Sequence, residues 1–309
     1  VDNRRGFAGR PGGGVREFLE EIIGAAEGCA IGLVVRESDD PRWLGLATSQ
    51  RRSAGARLAV SVSVTEESGL PTLLNRAEDL AQRARTDVPD CSLVLDLGSF
   101  SNPPNPLQVI SVGARLSNWR EVIVSGGSFP RYLSDEWNAP GTYRRPRHEW
   151  LFWRKLEAAL AATATPHFSD YLVFSGSDAP MENHAGSISL RYSQDDEFMV
   201  YKGMLSEQSP AGHAQFVGHA GLLCGSPEFF GSRFSSGDEF IWERRVLPGN
   251  PLAPELWRAA SINHHATLVL AQLASASRSS LIARRAAQSD SRAHTPIWHR
   301  APIRRLPTR

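Results

Sequence analysis

The chain has 309 residues, 41% of them hydrophobic and 22% charged, with 26 Gly and 20 Pro. This is ordinary globular composition, which excludes collagen, coiled coil and wholesale disorder, and no apolar run reaches the roughly 20 residues of a membrane span. The formal net charge is only +1, yet the residues from Ser277 onward hold eight Arg, one Asp and no Lys or Glu. The body is therefore mildly acidic, which argues against a whole-protein nucleic-acid footprint.

Only the tail, through Arg284, Arg285, Arg300, Arg304, Arg305 and Arg309, can attract phosphates by charge. The alternative is a basic tail with no specific partner. Residues 1–14 are Gly- and Arg-rich and read as a loose leader without the apolar core of a secretory signal. Cys29, Cys91 and Cys224 stand far apart with no C-x-x-C spacing, so reduced thiols in a cytoplasmic protein are expected rather than a disulfide framework or zinc cluster.

The elements follow in chain order. Helical spacing of Val15, Phe18, Leu19, Ile22 and Ile23 predicts a helix over 15–26, which Gly28 can stop. Apolar runs predict strands at 30–35, 58–64, 91–95 and 121–124, ending near Arg36, Val64, Asp96 and Ser125. Helices are expected at 70–84, 106–119 and 148–162, the last with a stripe of Trp150, Leu151, Trp153, Leu156 and Leu160. Trp150, Phe152 and Trp153 could stack on bases, but on such a helix they read as core. Further strands are expected at 171–174, 188–192 and 198–201, and helices at 212–223 and 254–274. The residues from 277 lack a sustained apolar period, so little packed structure is expected there. The division is a leader 1–14, a single α/β domain 15–276 and a basic, poorly structured tail 277–309.

Strands alternating with helices predict an α/β fold with a largely parallel sheet. A (β/α) barrel-like fold is the first expectation and an open doubly wound sheet the alternative. No G-x-G-x-x-G follows the first strand, which argues against dinucleotide binding. In either architecture the site lies at the carboxyl ends of the strands. Arg36, Asp96, Ser125, Ser128, Ser175, Arg191 and Lys202 fall at or just past those ends. Asp96 is the best single acid: a general base, a metal ligand or the partner of a rim Arg, if it does not simply cap the following loop. Ser125-Gly126-Gly127-Ser128 either offers backbone N–H groups to an anion or makes a tight turn. His264 and His265 are adjacent on a predicted helix and point about 100° apart, so they cannot share one ion. His213 and His219 are also off metal spacing, and no metal site or cofactor motif is identified. His264 is either catalytic or a satisfied core histidine. No G-x-S-x-G elbow is present.

Seven segments in order carry a resemblance. They are Leu93-Val94-Leu95-Asp96-Leu97-Gly98, then Ser125-Gly126-Gly127-Ser128-Phe129-Pro130, Arg147-His148-Glu149-Trp150, Ser169-Asp170-Tyr171 and Ser187-Ile188-Ser189-Leu190-Arg191-Tyr192. Phe230-Gly231 through Gly237-Asp238 follows, then Trp257 with Asn263-His264-His265. Together, over roughly residues 15–275, the chain resembles the Beta protein family, known from bacteriophages and bacterial genomes. The resemblance implies an α/β, barrel-like fold and carries no mechanism. Similar proteins begin with further strand–helix units, including a Lys-Gly-containing start, that are not found before Val15, so a barrel incomplete at its N-terminus is expected.

Two functions follow as expectations. One is an enzyme binding a phosphate-bearing small molecule or nucleic-acid end at the strand ends. Arg36, Arg191 and Lys202 would hold the anion with Ser125 and Ser128, Asp96 or Glu149 would act as general base or bind a divalent cation, and His264 would move a proton. The other is a non-catalytic interaction or scaffold protein in phage infection or anti-phage defence. An enzyme requires Asp96, Arg191 and His264 to converge in one pocket.

Overall fold

A computed structural model describes residues 32–54, 57–64, 69–102, 105–175, 187–246 and 253–293. The expected leader, the 15–26 helix and the end of the tail lie outside the described residues. Five strands form a parallel sheet: β1 (Gly32–Arg36), β2 (Arg57–Ser63), β3 (Cys91–Ser99), β4 (Glu121–Gly127) and β6 (Pro166–Asp170). They lie side by side in chain order, the order of a (β/α) barrel rather than one that reverses at a switch point. Among the described residues no pairing joins β1 to β6.

The connections are α1 (Pro41–Ala54), α2 (Leu70–Arg83), the short α3 (Pro106–Ile110) and α4 (Gly113–Leu116), and α5 (His148–Leu160). Pro71 opens α2, and its apolar residues recur at helical spacing, so Leu70, Leu73, Leu74, Ala77, Leu80 and Ala81 are all buried. They meet Leu58, Val60 and Val62 of β2 and Leu93 and Leu95 of β3 in one core. Full burial of each such aliphatic side chain stabilises by about 1.5–3 kcal/mol. The opposite face of the sheet carries Ala59, Ser61, Ser92, Asp96 and Ser125, small or polar yet also buried.

A second sheet is antiparallel, in the order β5-β8-β7, from β5 (Gly141–Pro146), β8 (Glu197–Leu205) and β7 (Ser187–Ser193). The expected parallel array does not extend to these strands. One face of this sheet, with Leu190, Tyr192, Met199 and Tyr201, packs on α6 (Gln215–Cys224), α7 (Ser236–Arg244) and α8 (Pro254–Ala293) through Phe216, Leu223, Ile241 and Trp257. The other, with Phe198 and Val200, packs on Phe129, Leu133 and Val173, residues that follow β4 and β6.

Four expectations change, besides helices α1 and α7, which the sequence reading does not name. The strand at 171–174 is a turn, and β6 lies just before it. Leu172 takes φ 61°, and Asp170 Oδ1 accepts its backbone N–H at 3.0 Å. Its apolar residues mimic a strand because Val173 and Phe174 pack against the second sheet. The helix at 106–119 breaks in two at Ser111 and Val112, and at Gly113, which opens α4, Leu160 packs 2.9 Å from the position a Cβ would take. Strand β5 went unnoticed because Gly-Thr-Tyr-Arg-Arg-Pro offers one apolar residue to an alternation test. Finally, α8 passes 274 without a break and runs to Ala293. Its Ala-, Leu- and Arg-rich composition favours helix without requiring an apolar stripe.

Candidate functional site

At the carboxyl end of the parallel sheet, register places Ser63, Asp96, Ser125 and Ser169 in one row. Asp96 is 5% exposed. Its Oδ1 accepts the Gly98 N–H at 3.1 Å and the Tyr171 hydroxyl. Ser125 Oγ donates to Ser169 Oγ at 3.3 Å. Arg36 lies on the same face, since its register partner is Ser61, and its backbone N–H donates to Asp39. Gly126 and Gly127 are not a turn: they end β4, where the Phe100 and Tyr171 rings come within 2.9 and 2.8 Å of the positions that Cβ atoms would take. The adjoining Ser128 N–H does meet an anion, but an internal one, Glu149.

The second sheet contributes cations. Register puts Gly141, Lys202 and Ser189 in one row and Tyr143, Val200 and Arg191 in the next, all on the face that packs over the loops after β4 and β6. Arg191 Nη1 donates to the Val173 carbonyl at 2.6 Å, and its guanidinium lies 4.5 Å from the Phe129 ring centre and 5.2 Å from that of Phe174. Among the described residues its Nε has no hydrogen-bond partner. Burial, and then the Arg258 charge, push its pKa down to about 10. Lys202 is 7% exposed, and no hydrogen bond or ion pair joins its ammonium to the described residues. One turn connects Arg191 to the acid, because Tyr171 reaches Asp96 while Val173 receives Arg191.

A separate polar network fills the joint between the sheets and α8. Glu149, in the first turn of α5, accepts both the Ser128 N–H at 3.2 Å and the Ser128 hydroxyl at 2.5 Å. Burial raises its pKa despite those bonds and the nearby Arg147. Arg147 is fully buried, donating through Nη1 to the Gln194 and Asp195 carbonyls and to Gln272 Oε1. On α8 the two adjacent histidines diverge. His264 Nδ1 faces Asp238 Oδ2 and its Nε2 faces the Ser193 carbonyl, each at 2.8 Å. Tyr192 donates to the other oxygen of Asp238 at 2.7 Å.

His265 Nε2 lies 2.7 Å from Asp170 Oδ2, and its Nδ1 lies 2.6 Å from Ser193 Oγ. The carboxylate can only accept, so Nε2 carries the proton and the serine donates to Nδ1. Burial lowers the His265 pKa below its ordinary value, outweighing Asp170. Burial raises that of Asp170, but the bond and charge of His265 reverse the balance, and the net shift is downward. This Ser–His–Asp array is sealed: Ser193 and His265 are both 0% exposed. A serine so enclosed has no path to a substrate carbonyl, and the array's chemistry is that of a buried hydrogen-bond relay.

Of the residues singled out from sequence, the fold therefore brings Asp96 and Ser125 together in one row, Arg191 and Lys202 together on one sheet face, and Ser128 onto Glu149. Asp96, Arg191 and His264 do not share one pocket. His264 belongs to the network, its nitrogens committed to Asp238 and a carbonyl. Sequence reasoning missed Tyr171, Arg147, Asp170, Ser193 and His265 as site or network residues. Their signal is long-range, since Asp170 and His265 meet across 95 positions. A groove of about 940 Å³ between α5 and α8 includes Trp150, Asp195, Phe230, Phe234 and Gln272, and none of the sequence-derived site residues lines it. Among the described residues no group of His, Cys, Asp and Glu is arranged to hold a metal ion, and no helix is long and apolar enough to cross a membrane.

A family model described as Beta protein matches residues 15–271 of the chain. No curated protein and no solved structure matches it.

Proposed function

The chain belongs to the Beta protein family, and we propose that it binds a phosphate-bearing ligand at the carboxyl ends of its parallel strands. Lys202 and Arg191 hold the anion, Arg36 adds positive charge from β1, and the Asp96–Tyr171 pair supplies acid–base chemistry. One observation carries the reading: Lys202 is only 7% exposed, and among the described residues its ammonium has no counter-charge. Among the described residues its neighbour Arg191 meets a neutral carbonyl and ring faces but no carboxylate. Buried positive charge without a partner costs free energy. A phosphate monoester carries about −1.5 to −2 charge near neutral pH and several acceptor oxygens, and it offsets that cost. Lysine and arginine are the side chains suited to hold it.

Asp96 is the base in this scheme. The Tyr171 hydroxyl, which already donates to it, is the group through which a ligand proton reaches it. Ser125 and Ser169 supply hydroxyl donors in the same row. Ser128, Glu149 and His264 position the two sheets and touch no ligand. The cytoplasmic setting, in which buried Cys91 stays reduced, and the bacteriophage setting implied by the resemblance belong to the same proposal.

Calorimetric titration with ribose 5-phosphate tests it. The wild type is expected to bind and Lys202→Ala to bind at least tenfold more weakly. Asp96→Asn is expected to bind as the wild type does, because it keeps the anion site. Equal affinity in Lys202→Ala, or no binding by the wild type, would sink the proposal and favour a non-catalytic scaffold.

A further inference from the structure

The face of the second sheet that holds the two cations also holds an aromatic shelf. Tyr143 shares its register row with Val200 and Arg191, and it is a diagonal neighbour of Lys202, which pairs with Gly141. Such diagonal neighbours lie about 7–8 Å apart. The Tyr143 ring is fixed from below by its hydroxyl, which donates to the Ala139 carbonyl at 2.8 Å. Trp137 stacks on it with centroids 4.9 Å apart and planes 12° apart. Leu133, buried in the core beneath, anchors the segment that carries Trp137. Among the described residues the Trp137 ring makes no other ring contact, its Nε1–H makes no hydrogen bond, and the side chain is half-buried. A flat indole thus stacks on the ring that is the diagonal neighbour of Lys202.

We infer that the phosphate-bearing ligand is a nucleotide, a nucleoside 5′-monophosphate whose base stacks on Trp137 while its phosphate meets Lys202 and Arg191. The inference rests on the strand-end anion reading and adds the ligand class. Phosphate on lysine and arginine supplies charge neutralisation. Base-on-indole stacking supplies apolar contact that tolerates any base, because every base has a π-face. A sugar phosphate would satisfy the cations and leave the shelf bare.

The test compares the four nucleoside 5′-monophosphates with ribose 5-phosphate by calorimetry on the full chain. The expected result is that at least one nucleotide binds about tenfold or more tightly than ribose 5-phosphate. Trp137→Leu should bring that nucleotide down to the affinity of ribose 5-phosphate and leave ribose 5-phosphate unchanged. Trp137→Phe, which keeps a ring to stack on, should retain most of the difference. Equal wild-type affinity for all five compounds overturns the nucleotide inference and leaves the anion site standing. A nucleotide preference that survives in Trp137→Leu, with the variant's cooperative unfolding intact, also overturns it. If none of the five binds, both the inference and the anion site fail.

Discussion

Ser193, His265 and Asp170 form a complete donor–acceptor chain whose serine and imidazole are fully buried. The consequence is for stability. Ser193→Ala leaves Nδ1 of a buried imidazole without its donor, and urea unfolding is expected to show a loss of about 1–3 kcal/mol. The pH dependence has a definite sign. The folded His265 pKa lies below 6.5, so between that value and 6.5 the unfolded chain binds more protons. This contribution is whole above pH 6.5 and is lost as pH falls through the folded value. Glu149 acts oppositely: its raised carboxyl takes up a proton more readily in the folded state. Its ionisation therefore erodes stability as pH rises from 4.5 through its folded value. The melting temperature of the wild type should fall from pH 7 to pH 5, and His265→Gln should flatten or reverse that fall. An unchanged slope in the variant would remove His265 from the account.

At the scale of elements, close approach explains much of what the chain does. Gly237, in the first turn of α7, has the Ala260 carbonyl oxygen 2.2 Å from where a Cβ would stand. Gly237→Ala must push α7 off α8, and thermal unfolding should register a loss of about 1–3 kcal/mol. The strands from β1 to β4 were legible because each is a short apolar run, and α2 and α5 because their buried residues recur at helical spacing. Elements whose identity depends on a partner were not. Strand β5 exists because β8 pairs with it, and 171–175 is a turn because Asp170 caps Leu172 and the second sheet takes Val173 and Phe174. The same division runs through the site. Asp96 and Ser125 could be named from strand ends; the same reading names Arg191 and Lys202, yet both lie inside antiparallel strands, β7 and β8, where the carboxyl-end rule does not apply. Tyr171 could not, because the hydroxyl that matters lies on a turn whose sequence reads as a strand.

On the scale of the whole molecule, two sheets meet in two ways. The α8 histidines and the Ser128 hydroxyl are fully hydrogen-bonded at the joint, whereas Glu149 Oε1 and the Nε and Nη2 of Arg147 have no hydrogen-bond partner among the described residues. On the strand-end face Lys202, 7% exposed, has no counter-charge among the described residues. A largely enclosed charge without a counter-charge is a cost that a bound anion would offset. Lys202 is where that argument is exposed. The most direct measurement is the urea unfolding free energy of wild type and Lys202→Met in phosphate-free buffer and again with ribose 5-phosphate. Without ligand, Lys202→Met should be more stable than the wild type, by on the order of 1 kcal/mol. Added ribose 5-phosphate should stabilise the wild type and leave the variant unmoved. A Lys202→Met protein that is less stable without ligand, or that gains as much from ribose 5-phosphate as the wild type, would show that the lysine holds the fold and no anion.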